Sequence, residues 1–351
     1  GCGDRGERPA VRNVVLVSID TCRADRIGAY GAAGDPTPRI DELARGGTRF
    51  DRAYSPAPIT LPAHASMMTG TIPPFHGLHD NGEGRLGDDH VTLAERLRDG
   101  GFETGAVVGS FVLDARFGLD QGFDLYDDRV PRSGGAEWID QRRGADVTDA
   151  ALGWLEGRGE RPFFLFVHYF DPHMLYDPPE PFRSRFEDDP YQGEIASVDH
   201  EIGRIVDALR ARGLLDSTAI VVTADHGEML GERGEETHTY FVYEPAVRVP
   251  MIVRVPGVEV VSSVAEPVGL VDLLPTIVGL AGLTAPGDLD GRDLGPSIRG
   301  EAGGEPDRTL YFQALESTKY GANPLLGSVG ERWKLIDTTR PELYDLLEDP
   351  G

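Results

Sequence analysis

The sequence predicts an α/β fold: a large mixed, mostly parallel sheet sandwiched by helices, with a small C-terminal α+β subdomain. Three observations carry this. Strand-like and helix-like segments alternate from residue 12 to about residue 283, the pattern of successive βα units. Two apolar, β-branched runs, Val14-Val15-Leu16-Val17-Ser18-Ile19-Asp20 and Ala219-Ile220-Val221-Val222-Thr223-Ala224-Asp225, read as buried strands that each end in a carboxylate. Ile195, Val198, Ile202, Ile205, Val206 and Leu209 recur at helical spacing over residues 194–212, closed by Gly213.

Taken in order, residues 12–19 are expected to form the first strand. A helix follows over 38–45, with Pro38 at its first position after Thr37. Residues 48–54 suit a strand, and 63–68 a helix opened by Pro62. Residues 93–98 suit a helix stopped by Gly100-Gly101. Strands are expected at 104–108, 162–167, 219–223 and 249–255, and a helix at 270–281. Beyond residue 283 the chain becomes rich in Gly, Pro, Asp and Arg. The short segments 309–314, 326–329 and 333–336 then suggest a small antiparallel sheet. The domain reading is a flexible tail over 1–10, a main α/β domain over 11–283, and a C-terminal subdomain over 284–351 that continues past residue 351.

At 351 residues the chain can bury a large core. Its net charge of −25 argues against nucleic-acid binding through phosphate neutralisation. An anionic substrate would need local positive charge to offset that field. Two cysteines, Cys2 and Cys22, exclude a disulfide framework, and no apolar run is long enough to span a membrane. The start Gly1-Cys2-Gly3 followed by a polar stretch suits the mature end of a lipid-anchored, extracytoplasmic protein of the periplasm or cell envelope. It equally suits a trimmed boundary near a dispensable tail. Oligomeric state is not legible.

Two segments carry chemistry. A single Asp after a strand is ordinarily a turn former or a helix cap. Two such strands, with His226 beside the second Asp, read instead as a metal site, because Asp with His suits zinc or manganese better than an all-oxygen calcium cage. In Thr60-Leu61-Pro62-Ala63-His64-Ala65-Ser66-Met67-Met68-Thr69-Gly70 a hydroxyl precedes a helix whose N-terminus favours anions. Held there and on a metal, the Thr60 oxygen would have its alkoxide stabilised. The alternative is that Thr60 is a plain N-cap.

The chain resembles the sulfatase family of the alkaline phosphatase superfamily. The matching motifs are Val17-Ser18-Ile19-Asp20-Thr21 with Arg23-Ala24-Asp25, Ser55-Pro56 through Thr69-Gly70, His76-Gly77 to Asn81, Asp171-Pro172-His173, Asp225-His226-Gly227-Glu228, Tyr243-Glu244 with Arg248-Val249-Pro250, Val271 to Thr276, and Glu342 to Leu346. They run in the family's order. The resemblance implies that Asp20, Thr60, Asp225 and His226 hold one divalent metal, zinc or manganese before calcium. It also implies that the substrate is a small anionic ester, phospho-, phosphono- or sulfo-, of a glycan or lipid headgroup. Sulfatases carry Cys or Ser, converted to formylglycine, where this chain has Thr60, and an Arg where it has His64. Thr cannot become formylglycine, and a Thr nucleophile is used by the phosphodiesterase and phosphoglycol-transferase branches of the superfamily. That favours phosphoryl or phosphonyl esters, cleaved through a covalent Thr60 intermediate. Sulfate ester hydrolysis without formylglycine, or an inactive headgroup-binding module, are the alternatives.

By the same resemblance Asn81 lies where phosphonate monoester hydrolases place an amide that contacts the transferred group. His238 lies where the family has Lys or His near those oxygens. His173 matches a substrate-contacting histidine able to protonate a leaving group, and His64 could donate to an anionic oxygen. His168, just past a buried strand run, is open between a structural role and a substrate contact. Glu316, Tyr320 and Lys334, in the segment that folds beside the pocket mouth, are candidates for shaping substrate choice.

Overall fold

The computed structural model describes residues 11–131, 140–258, 263–301 and 308–348. The Cys2 anchor reading, the tail to residue 10 and the last residues from 349 lie outside them.

An eight-stranded sheet runs in the order Ser263–Val264, Thr48–Phe50, Met251–Arg254, Thr218–Ala224, Asn13–Ile19, Phe163–Tyr169, Glu103–Val107, Leu125–Asp127. Asn13–Ile19 is parallel to both neighbours, and Met251–Arg254 is antiparallel to both of its own. The sheet is thus mixed and mostly parallel, as expected. All seven residues of each of its three central strands are buried, which explains their continuous Val, Ile and Phe runs. Each such side chain contributes about 1.5–3 kcal/mol when taken from water.

Successive strand residues face opposite sides, and the helices use both. His168 meets the ring of His64 on helix Thr60–Thr69, while the next residue, Tyr169, shares a hydrogen bond of 2.7 Å with Thr148 on helix Gly144–Gly157. Helix Pro190–Ala211 packs on Gly144–Gly157 and on Pro38–Arg45. Helix Thr60–Thr69 packs against Leu273–Leu280 and Leu93–Asp99. The long helix starts one turn earlier than its apolar spacing predicts. Asp189 caps it by accepting from the Gln192 amide at 3.2 Å, and Pro190 occupies its first position.

Two expected strands are divided. Residues 48–54 contribute Thr48–Phe50 to the large sheet and Ala53–Tyr54 to a separate three-stranded sheet. Residues 249–255 split at Pro250, which cannot donate to a ladder, into Arg248–Val249 and Met251–Arg254. The C-terminal segments form a four-stranded antiparallel sheet of Leu310–Ala314, Leu325–Val329, Trp333–Asp337 and Glu342–Asp345. Its fourth strand was visible in the sequence only as a motif. Arg308 ties this sheet to the large domain through a bidentate pair with the buried Asp272, at 2.7 and 2.6 Å. Lys334 corrects an expectation: it is buried and bonded to Glu244 at 2.8 Å beneath the Phe312 ring, so it holds the sheet rather than shaping substrate choice.

Candidate active site

Ile19 pairs with Ala224 in register, so the next residues, Asp20 and Asp225, leave two adjacent strands side by side at the C-terminal sheet edge. There the backbone is free to diverge and leave a crevice. Both carboxylates are fully buried. Asp225 Oδ1 accepts from the backbone N–H groups of His226, at 2.8 Å, and Thr21, at 3.2 Å. Its Oδ2, and both oxygens of Asp20, have no hydrogen-bond partner among the described residues.

His226 follows Asp225 and is also fully buried. Its Nδ1 lies 2.9 Å from the Gly227 carbonyl, so Nδ1 donates there and Nε2 is the nitrogen turned toward the carboxylates. Burial opposes the charged imidazole, but the charges of those carboxylates raise it above its ordinary value. Nε2 sits 3.4 Å from Asp225 Oδ2, 3.7 Å from Asp20 Oδ1 and 3.4 Å from the Thr60 hydroxyl. Gly227 is required because a Cβ there would stand 1.9 Å from the Pro245 carbonyl oxygen.

Thr60 is the first residue of helix Thr60–Thr69, and the N-cap is Ile59, whose extended backbone (φ −159°, ψ 140°) precedes it. The N-cap alternative for Thr60 therefore fails: its hydroxyl makes no capping bond. Asn81 does that work, its Oδ1 accepting from the Leu61 amide at 2.8 Å. Pro62 sits in the first turn, where an amide would have no helical partner. The helix closes at Gly70, whose left-handed backbone (φ 70°) suits glycine.

The remaining expected residues fall around this centre. His64 is fully buried, with Nδ1 donating to the Thr60 carbonyl at 2.8 Å and Nε2 accepting from the Ser18 hydroxyl at 3.0 Å. Both ring nitrogens are thus committed within the protein, beneath Thr60. His168 lies inside its strand rather than past it. Its Nδ1 accepts from the Gly109 amide at 3.4 Å and its Nε2 is 3.4 Å from Asp20 Oδ2. His173 stacks on Phe170, with centroids 4.3 Å apart, and donates Nδ1–H to the Met174 carbonyl at 2.7 Å. His238 bridges the group, its ring 4.5 Å from that of His226 and 5.2 Å from that of His173.

Several participants carried no assigned role in the sequence. Glu228, quoted in its motif, is fully buried 3.0 Å from His238 Nδ1 and also accepts from the Tyr176 hydroxyl at 3.2 Å. Arg23 pins the Glu228 backbone carbonyl at 3.3 Å. A carboxylate two residues past the Asp-His pair was the available signal for Glu228. Ser18 and Gly109 gave none.

Burial raises the Asp20 carboxyl to about 6, helped by the charge of Glu228 and opposed by His173 and His226. Burial and the facing Asp20 also raise Asp225. Burial lowers His173, with His238 adding to the effect, and lowers His238 well below its ordinary value, with His226 adding. Both histidines are therefore neutral at neutral pH.

A divalent cation fits this donor set. Two carboxylates with three unpartnered buried oxygens, an imidazole nitrogen and a hydroxyl converge, and such oxygens without compensation cost several kcal/mol. Asp20, Asp225 and His226 form one possible ligand group, and His64, His168 and Asp225 an overlapping one. The first is the better fit, because both His64 nitrogens already have partners.

The loop that carries His173 rests on a further buried carboxylate. Glu194 accepts from the Asp177 amide at 2.7 Å. Burial, then the charge of Asp171, raise it to about 8. Its folded value exceeds its ordinary one, so the folded chain retains a proton that the unfolded chain has released between about pH 4.5 and 8. Stability falls as pH rises through that window. Glu194→Gln should match wild type in urea midpoint near about pH 4 and exceed it at about pH 8. Equal midpoints at the higher pH would contradict this placement.

Residues 12–283 match the family model for Sulfatase, and residues 234–351 match that for N-sulphoglucosamine sulphohydrolase, C-terminal. Human arylsulfatase A is 28% identical over 417 residues, spanning 97% of this chain and 82% of its own length. A structure solved with D-glucosamine-2-N,6-O-disulfate as its substrate superposes with a TM-score of 0.82 at 22% identity, over 98% of this chain and 92% of that one. The phosphonate monoester hydrolase of Agrobacterium radiobacter gives 0.81 at 22%, over 96% and 90%. At those identities the two structures speak to the fold. Among the described residues, no helix is long and apolar enough to cross a membrane.

Proposed function

Because the chain belongs to the sulfatase family, a family of ester hydrolases, we propose that it cleaves a small phosphoryl or phosphonyl ester through a covalent Thr60 intermediate. The observation that carries this is the Thr60 hydroxyl. It is buried, makes no capping bond, and faces His226 Nε2, which lies beside the unpartnered oxygens of Asp20 and Asp225. A residue serving only to start the helix would spend its hydroxyl on the helix.

Asp20, Asp225, His226 and Thr60 would hold a divalent cation, zinc or manganese by donor chemistry. When bound, it would favour the alkoxide of Thr60 and neutralise charge developing on the substrate oxygens. Thr60 Oγ1 forms a bond to phosphorus as the bond to the alcohol breaks. A neutral histidine accepts the Thr60 hydroxyl proton, and the imidazolium so formed returns it to the departing alcohol; His238 and His173, whose rings lie 5.2 Å apart, are the pair assigned to these two roles. His173 has Nε2 free, since Nδ1 is spent on Met174. Water then attacks phosphorus and releases Thr60; an acceptor alcohol in its place would make the reaction a transfer. His64 fixes the Thr60 backbone, and Asn81, whose Oδ1 caps Leu61, can turn its amide N–H toward the transferred group. His168 buttresses Asp20.

The sulfatase relatives favour a second reading, sulfate ester hydrolysis by unmodified Thr60. One panel separates them: bis(p-nitrophenyl) phosphate, p-nitrophenyl phenylphosphonate, p-nitrophenyl phosphate and p-nitrophenyl sulfate, with zinc or manganese added. Turnover of a phosphorus ester that needs a divalent metal supports the first reading, and sulfate turnover alone the second. Absence of any metal affinity would favour a headgroup-binding module.

A further inference from the structure

The short helix Glu316–Tyr320 of the C-terminal subdomain contacts two segments that carry residues of the site, the one with Asp80 and Asn81 and the one with His238 and Tyr240. On one side Lys319 forms an ion pair with Asp80, and lies 3.0 Å from Glu316 and 3.9 Å from Glu83. On the other, the Tyr320 ring stands 6.4 Å from that of Tyr240, two residues past His238. The same subdomain holds the Asn81 loop at a second point: Gln313 Nε2 meets His79 Nδ1 at 2.9 Å, while the Gln313 amide donates to the Pro56 carbonyl at 2.9 Å.

Contacts continue inward from Lys319 without a gap. Asp80 binds Lys319 through Oδ2 and accepts the Asn81 amide on Oδ1 at 2.7 Å. Asn81 Oδ1 accepts the Leu61 amide at 2.8 Å, one residue from Thr60. Four residues therefore join the C-terminal subdomain to the start of the nucleophile helix. The Lys319 side chain is 40% exposed, and ion pairs of that exposure contribute little to global stability. Orientation of a reacting group is far more sensitive, since a misplacement of about 1 Å can cost about a hundredfold in rate.

We propose that Lys319 is a positioning residue for the nucleophile: it fixes Asp80, hence Asn81, hence the orientation of Thr60. The proposal rests on the Thr60 reading. It makes the C-terminal subdomain a working part of the active centre rather than a neighbour of it.

The test uses the whole chain with Lys319→Met, Lys319→Arg and Asp80→Asn, the last keeping an acceptor for the Asn81 amide. With whichever ester of the panel turns over, Lys319→Met should lower kcat about tenfold with KM and Tm little changed. Lys319→Arg should restore kcat to within about twofold. The double variant Lys319→Met/Asp80→Asn should be no slower than the worse single one, as expected of residues acting in series. Independently of any substrate, hydrogen exchange of the peptide containing Leu61 should be about tenfold faster in Lys319→Met than in wild type. Unchanged kcat and exchange would overturn the proposal. So would a loss of kcat that arginine does not rescue and that a fall in Tm accompanies. If Thr60→Ala stays active, the Thr60 reading itself fails. If Thr60→Ala is dead while Lys319→Met behaves as wild type, only the positioning role fails.

Discussion

Thr60→Ala is expected to lower turnover by at least about a thousandfold, the scale seen when a catalytic nucleophile is deleted. The fold should survive, because the hydroxyl has no structural duty. The helix start is held instead by Asn81 on the Leu61 amide and by the Ile59 carbonyl, which accepts from Ala63 at 3.2 Å. Alanine also leaves His64 its partner, since His64 bonds the Thr60 carbonyl and not its side chain. The measurement is kcat on the responsive ester, with circular dichroism and Tm as the check on folding. Undiminished activity in a folded Thr60→Ala protein would exclude covalent catalysis at this residue.

Metal removal is expected to have the second largest effect. Dialysis against a chelator should abolish turnover, and zinc or manganese should restore it. Stability should change in the same direction: a ligand at about one hundred times its Kd adds about 2.7 kcal/mol, or about 4 °C for a protein of this size. The variant Asp20→Asn sharpens the test because its two effects have opposite signs. It removes a donor, so added metal should neither stabilise the protein nor restore turnover. It also removes one of two facing buried carboxylates, so the metal-free variant should melt no lower than metal-free wild type. A chelator-treated enzyme at full activity, or an Asp20→Asn protein that still gains Tm from metal, would contradict the ligand set.

The parts of the molecule legible in the sequence are those set by local pattern. The central strands announce themselves because strands buried on both faces are apolar throughout, and Asp20 and Asp225 stand out as charges at the ends of such runs. Helix Pro38–Arg45 matches its reading to the residue, because Thr37-Pro38 marks its start; in the structure Gly46 closes it. The start of the nucleophile helix was not. Pro62 suggested an opening near residue 63, but proline is tolerated through the first turn, and Asn81, twenty residues beyond the Leu61 amide it accepts from, supplies the cap. The division of residues 48–54 and 249–255 between two sheets depends on long-range pairing that alternation does not encode. Lys334 was misread because a lysine in an exposed-looking strand gives no hint that Glu244, ninety residues earlier, waits for it in the core. The hydrogen bonds that commit His64 to Ser18 and Thr60, and the contacts from Lys319 inward to Leu61, exist only once the fold has formed.

The most direct test of the central claim is to trap the intermediate. Enzyme loaded with metal is quenched in acid during turnover of the responsive ester, digested, and the adduct located by tandem mass spectrometry. A phosphoryl or phosphonyl group on Thr60, absent from Thr60→Ala and chased away by further incubation in water, is the predicted result. An adduct on any other side chain, or turnover by Thr60→Ala at the wild-type rate, would contradict it.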